Sequence, residues 1–294
     1  MVAQVVTGLA AGAAYALVAV GVVLIFKGTK ALSVAQGEIG AFGYFFGLRW
    51  SARGVPGLGW HPPLFADLVI AAVVGALLGL VIEQLIMRPL VQRPPLDGLI
   101  ATLGVALFLA LLEKEIFGTA TQFAPSPVGK WRVVVLGATL TAERIVALGL
   151  AAVVAGAIYL FFTRTKFGLA VLATTGDPTV ARLLGVKVTQ VYRFVWITAG
   201  ALSGLAAALL GPAFGGLTPF DMTKFALRAL AGAVIGGLDS VWGAIIGSLL
   251  IGVLEAVVGG QVGARGAANV AVLALVIATL VVRPQGLLGT SGAA

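Results

Sequence analysis

Three carboxylates, Glu38, Glu83 and Glu255, fall within or at the ends of long apolar segments. An ionisable group in such a place is costly unless it is paired or faces water, so each is a candidate for transport chemistry. Glu38 follows Gln36-Gly37 in a glycine-rich stretch, and two readings of it stand open. It lines a polar path, or it is a hydrogen-bonded packing residue. Glu83 lies five residues before Arg88 near one end of its segment, which favours an ion pair or a lipid headgroup contact over transport chemistry. Glu255, beside Gly259-Gly260, is expected to reach the opposite interface. Thr218-Pro219-Phe220-Asp221, just before a short helical stretch, reads either as an external gate or as a helix cap.

Other chemistries lack their residues. The chain has no cysteine, which excludes disulfides and thiolate metal sites, and its one histidine, His61, sits in Trp60-His61-Pro62-Pro63 with no second ligand type near it. No metal or cofactor is expected. No Gly-x-x-x-x-Gly-Lys-Ser/Thr loop occurs to cradle ATP phosphates. His-Glu-x-x-His, Gly-x-Ser-x-Gly and magnesium-binding aspartate clusters are missing too, and the chain reads as non-enzymatic.

The elements that must position the carboxylates are set by composition. Only 10% of 294 residues are charged and 60% are apolar, with 41 glycines and a mean hydropathy of +1.10. So few polar groups cannot cover a water-soluble globule, and the surface must face lipid. The net charge of +8 comes from singly scattered Lys and Arg, a pattern suited to anionic headgroups and not to nucleic acid. Residues 1–26 carry no charge and lack a basic flank, so they read as a retained helix. Further full-length candidates run from Leu64 to Met87, Gly98 to Leu112, Ile145 to Phe162, Val191 to Gly211, Val241 to Val258 and Ala267 to Val282. Ala31 to Leu48 and Phe225 to Gly237 are short or interrupted, which points either to broken or re-entrant helices beside a translocation path or to tilted, tightly packed ones. The expected fold is all-α: a polytopic transmembrane helix bundle of about eight or nine segments, forming one domain over 1–294.

Nine alternating crossings with 164–190 inside put ten Lys and Arg inside and eight outside, a weak positive-inside bias. That arrangement assigns Glu113, Glu115, Glu143 and Asp221 to the outer side. Gly40, Gly43 and Gly47 share a narrow arc of one helix and offer a strip for close backbone packing.

The segment from Thr163 to Arg193 has helix caps of its own. Gly176 is expected to end one short helix in the left-handed conformation, Asp177 to cap the next, Pro178 to fill its first position and Gly185 to stop it. On the second helix Val180, Leu183 and Leu184 share a face, forming an apolar knob too short to be stable undocked. The knob lies flat in the lipid interface, or it fills a protein socket.

Here the sequence resembles the permease subunits of ATP-binding cassette importers, specifically the LivH-like branched-chain amino-acid permeases. The resemblance runs through Tyr15-Ala16-Leu17, Ser33-Val34-Ala35-Gln36-Gly37-Glu38, Glu83 with Arg88-Pro89-Leu90, and Gly168 through Asp177 to Leu183-Leu184-Gly185. It continues in Gly236-Gly237-Leu238-Asp239-Ser240, Gly243-Ala244, Gly247, Glu255 and Arg283-Pro284-Gln285-Gly286-Leu287-Leu288-Gly289. It departs where the family reads Asn-Phe-Ala-His-Gly and this chain has Ser33-Val34-Ala35-Gln36-Gly37. The resemblance implies a multi-pass subunit of the cytoplasmic (inner) membrane that carries branched-chain or similar amino acids. It implies a homologous permease, two ATPase subunits and an extracytoplasmic binding protein as partners. It also implies a cytoplasmic coupling loop over 163–190, with Gly168, Asp177, Pro178, Val180, Leu183, Leu184 and Gly185 engaging the ATPase. Gln36, Gly37, Glu38, Thr218 and Asp221 are the candidates for the substrate path or gate. The competing expectation is a self-contained secondary transporter or channel that uses the intramembrane carboxylates.

Overall fold

At membrane depth every backbone N–H and C=O must be satisfied internally, so a chain this apolar folds as helices. The computed structural model describes residues 1–53, 66–90, 93–123, 128–129, 131–135, 138–262 and 266–289, and His61 lies outside them. In chain order come α1 (Val2–Thr29), α2 (Gln36–Arg53) and α3 (Ala66–Ile82), which continues through a π-helical turn (Glu83–Met87) into α4 (Arg88–Leu90). Then follow α5 (Pro95–Phe117), β1 (Arg132–Val135), β2 (Ala138–Thr141), α6 (Ala142–Arg164), α7 (Lys166–Gly176) and α8 (Pro178–Leu183). The chain closes with α9 (Val188–Ala213), α10 (Asp221–Gly236), α11 (Val241–Gln261) and α12 (Ala267–Val282).

Six helical stretches are long and apolar enough to cross a membrane: α1, α3 through α4, α5, α6, α9 and α11. Of the shorter helices, α12, with 16 residues, is also apolar, and α2 and α10, with 18 and 16 residues, pack within the same bundle. The expected break in the second segment is real but lies before the helix. Residues 31–35 are irregular and largely buried, and Thr102 of α5 serves them, receiving the Val34 N–H (3.4 Å) and donating to the Leu32 carbonyl (3.2 Å). Irregular backbone at this depth is thus satisfied by protein.

The bundle is built around α1 and α9. Of the most apolar window in each helix, 83% is buried for α1 and 18% for α6, which separates a central helix from a lipid-facing one. α1 is apolar on every side and therefore belongs in the interior. α3 instead exposes Val69, Val73, Leu77 and Val81 along one stripe. Close crossings rest on glycine. A Cβ on Gly75 or Gly200 would strike the other's carbonyl where α3 meets α9, and the same holds for Gly236 and Gly243 between α10 and α11. The strip on α2 serves two neighbours, Gly40 against Ser203 of α9 and Gly43 against Ala71 of α3.

One element departs from the all-α expectation. β1 and β2 pair antiparallel, with Arg132 opposite Thr141 and Val135 opposite Ala138. Val133-Val134-Val135, a β-branched run, is the local signal for it.

The helix ends sort onto two faces. On one, the Thr175 hydroxyl donates to the Lys27 carbonyl, Lys27 Nζ donates to the Asp239 carbonyl (2.9 Å), and the Leu287 and Leu288 N–H groups bond to Ile235 and Gly236. On the other, Arg49 reaches the Ile116 carbonyl, and Gln122 pairs with Leu217.

Candidate functional site

The segment between α6 and α9 is a capped helix pair. The Thr165 hydroxyl accepts from the Gly168 N–H (2.9 Å) and starts α7. Gly168 is buried where α7 folds back on α6, since a Cβ there would run into the Phe161 carbonyl. It positions the loop and is not part of its exposed surface. Gly176 stays within α7 and does not take the left-handed turn expected of it; the extended Asp177 (φ −146) breaks the helix instead. Asp177 then caps α8 by accepting from the N–H groups of Thr179 (2.7 Å) and Val180 (3.1 Å), with Pro178 in the first position. Gly185 (φ 85) stops α8, and the Val186 N–H closes onto the Ala181 carbonyl (2.9 Å).

Ala181 is the one buried residue of α8, whereas Val180 is 49% exposed, Leu183 83% and Leu184 76%. Three apolar side chains therefore project from a six-residue helix that its caps and Ala181 hold in place. The Thr175–Lys27 bond ties this unit to the end of central α1.

A second cluster lies at the first turn of α2. Gln36 and Glu38 are both buried. The Ser203 hydroxyl of α9 donates to Gln36 Oε1 (2.6 Å), and the Thr223 hydroxyl of α10 donates to Glu38 Oε1. Glu113 of α5 lies against Glu38. The Glu38 and Glu113 carboxyls meet at hydrogen-bonding range, and Gln36 Nε2 has no hydrogen-bond partner among the described residues. Gly37 lets this turn approach α10, because a Cβ there would sit 2.6 Å from the Met222 carbonyl. Four helices thus bring carboxyl, amide and hydroxyl groups to one point inside the bundle.

Glu113 is a buried member of this core, not a solvent-facing charge. The sequence carried no signal for it, because α5 is apolar on every side and only the structure shows that Thr102, Val105, Ala106, Leu109 and Glu113 form one buried face. Thr218 and Asp221 lie beside the core, at the start of α10, where Thr223 of the same turn bonds Glu38 and the Asp221 carboxylate is near enough to act on it electrostatically. Asp221 Oδ2 accepts from the N–H (2.8 Å) and hydroxyl of Thr218, and Oδ1 pairs with Lys224 (2.8 Å). The formal cap of α10 is Phe220 (φ 75), so Asp221 is the first helical residue, reaching back to hold the turn.

The two other carboxylates find partners the sequence did not assign. Buried Glu83 faces Arg193 of α9 at 3.8 Å, and Arg88 adds a weaker charge interaction from the following turn. Glu255 pairs with Arg228 of α10 (2.6 Å) and accepts from the Tyr15 hydroxyl of α1 (3.1 Å). No group of three or more metal-ligating side chains occurs among the described residues.

Comparison with known proteins addresses the whole chain. Residues 4–282 match the family described as the branched-chain amino acid transport system permease component. The high-affinity branched-chain amino acid transport system permease protein BraD of Pseudomonas aeruginosa is 28% identical over 292 residues, 97% of this chain and 95% of that protein. LivH of Escherichia coli K12, with the same description, is 28% identical over 293 residues, 97% and 94% of the two chains. Among solved structures, PsaBC from Streptococcus pneumoniae in complex with Fab aligns with a TM-score of 0.53 at 14% identity, covering 95% of this chain and 91% of that one, a likeness of fold. Permease components of this kind operate with ATPase and substrate-binding proteins, and they are not a class of enzyme. With the family match spanning nearly its full length, the chain belongs to the permease-component family of branched-chain amino acid transport systems, as a multi-pass inner-membrane subunit of an importer.

Proposed function

We propose that the chain forms half of the membrane path of an ATP-binding cassette importer that brings branched-chain or similar amino acids into the cytoplasm. A homologous permease supplies the other half, two ATPase subunits sit on the cytoplasmic face, and an extracytoplasmic binding protein delivers substrate. The observation that carries this reading is the knob of Val180, Leu183 and Leu184, exposed on a doubly capped helix that is bonded to the central helix α1. Its length and caps suit docking into a protein socket, with Asp177, Pro178 and Gly185 fixing its shape and Gly168 its seat on α6. The loop over 163–190 is then the cytoplasmic coupling element of a single permease domain spanning 1–294. ATPase closure pulls α8, and the Thr175–Lys27 bond passes that movement to α1 as a rigid-body shift. The path runs between the two permeases and is regulated from the α2 first turn, where Gln36, Gly37 and Glu38 meet α9 and α10. Thr218 and Asp221 hold the outer end of α10 in register as the gate hinge.

Reconstituted vesicles containing the complete complex test this. Leucine uptake that needs both ATP and the binding protein is the expected result. Uptake driven by a proton or sodium gradient without any ATPase overturns the proposal and assigns the buried carboxyls of Glu38 and Glu113 to a secondary transporter.

A further inference from the structure

A cavity of about 200 Å³ lies beneath the α7–α8 unit, away from the polar core at the start of α2. The end of α1, the π-helical turn, the start of α5 and the first turns of α9 form its walls, and Thr174 and Pro178 close it from the loop side. Two buried polar groups line it without hydrogen bonds. Glu83 is 1% exposed and neither of its oxygens accepts a hydrogen bond; Trp196 is fully buried and its indole N–H donates none. The 3.8 Å approach of Arg193 balances charge on Glu83 but is too long to satisfy its oxygens. A buried polar group left unsatisfied costs about 1–3 kcal/mol, and two in one cavity call for a common occupant.

The rest of the lining specifies its chemistry. Lys30, Arg88 and Arg93 are exposed at the rim and make no ion-pair contact within 4.0 Å among the described residues, although Arg88 is near enough to act on Glu83 electrostatically, while Ala31, Met87 and Leu90 provide an apolar wall. A phosphate or simple carboxylate would meet the three cations and the indole but leave Glu83 facing an anion. A simple amine would satisfy Glu83 and leave the cations idle. A zwitterion with an ammonium and an acidic group satisfies both, and an aliphatic side chain suits Met87 and Leu90.

From this geometry we infer that the cavity binds a free α-amino acid on the side of the membrane where α7 and α8 lie, its ammonium on Glu83, its carboxylate toward Trp196, Arg88 and Arg93. The inference rests on the amino-acid importer reading and extends it to a regulatory site for the product. An occupant bridges Pro178 of the loop to α3 and α9, so it restrains the loop against the bundle. Product accumulating on that side therefore slows ATP turnover.

The test uses the complete permease–ATPase complex without binding protein, in nanodiscs of phosphatidylcholine and phosphatidylglycerol, titrated with radiolabelled leucine. Saturable binding is expected, weakened at least about tenfold in Glu83→Gln and in Arg88→Gln, the loss of one charge-assisted hydrogen bond. Arg88→Gln lies at the exposed rim and tests the site even where Glu83→Gln fails to fold. With binding protein added, leucine on the ATPase side is expected to slow ATP turnover in the parent complex and to do so less in Arg88→Gln. Leucine affinity unchanged in Arg88→Gln, or an absence of binding in a complex that imports leucine, overturns the site and leaves the importer reading intact. A complex that imports no leucine fails the importer reading itself. Leucine binding that vanishes when phosphatidylethanolamine is included assigns the cavity to that zwitterionic headgroup and overturns the amino-acid site.

Discussion

Arg228 and Glu255 bring opposite charges into the bundle, and the pairing is what makes either tolerable. Removing one partner of a largely buried pair leaves an uncompensated charge, at a cost of about 3–5 kcal/mol, whereas replacing both with apolar residues is close to neutral. Glu255→Ala is therefore expected to lower stability by about 3 kcal/mol, toward the lower bound because both side chains keep some solvent contact. Arg228→Met with Glu255→Leu should recover most of it. Tryptophan fluorescence during thermal unfolding in nanodiscs measures both, and a double variant no more stable than Glu255→Ala refutes the account. Glu38→Gln tests the core in a different way, because the amide oxygen still accepts from Thr223 while the carboxylate is gone. Uptake should fall about tenfold or more with expression unchanged, the worth of one charge-assisted bond; uptake at the parent rate makes Glu38 a packing residue. That these charges matter was legible from their apolar surroundings. Their partners were not, since Tyr15 and Glu255 stand 240 positions apart and only the assembled bundle brings them together.

Helices in lipid gain little from burying one apolar surface on another, so close backbone approach has to supply the attraction, and glycine permits it. The crossing of α3 and α9 shows which glycines count. Gly200→Val would drive its side chain into the Gly75 carbonyl, and overpacking of this kind costs about 1–3 kcal/mol or more. Gly149→Ala on α6, where an added Cβ meets nothing within 4 Å, is expected to gain about 0.5–1 kcal/mol from helix propensity. Folded yield and thermal unfolding of the two variants should move in opposite directions; equal effects would mean that the crossing is not close. Glycine spacing alone could not make this distinction, because the same residue serves a crossing in one place and faces open space in another. Local grammar was far more readable. Asp177, Pro178 and Gly185 set the ends of α8 through bonds to their near neighbours, and the structure has them as the sequence implies. Gly176 failed the same reasoning because Asp177 breaks the helix by taking an extended conformation, leaving no left-handed residue to be filled. The break in the segment from Ala31 to Leu48 was legible but its position was not, since Thr102 of a helix distant in sequence holds the backbone of residues 31–35.

At the scale of the whole molecule, apolar exposure divides into two kinds. Along α3 it forms a stripe parallel to the helix axis, as a lipid-facing surface must, since the hydrocarbon core is about 30 Å deep. On α8 it is a compact cap on the face where the ends of α1, α6 and α10 also meet, outside the long apolar helices. If that cap is an anchor in an ATPase socket, one apolar side chain at its centre is worth about 2–4 kcal/mol, or about 30-fold or more in affinity. Leu183→Asp places a charge at the most exposed point of the knob without touching the caps at Asp177 and Gly185 or the seat at Ala181. Membrane insertion and thermal stability should therefore stay at the parent level, while co-purification of the ATPase subunits and ATP-dependent uptake are lost together. A variant that still co-purifies with its ATPases but sits less firmly in anionic membranes would put the knob in the lipid interface, and coupling would then have to pass through another part of the same face.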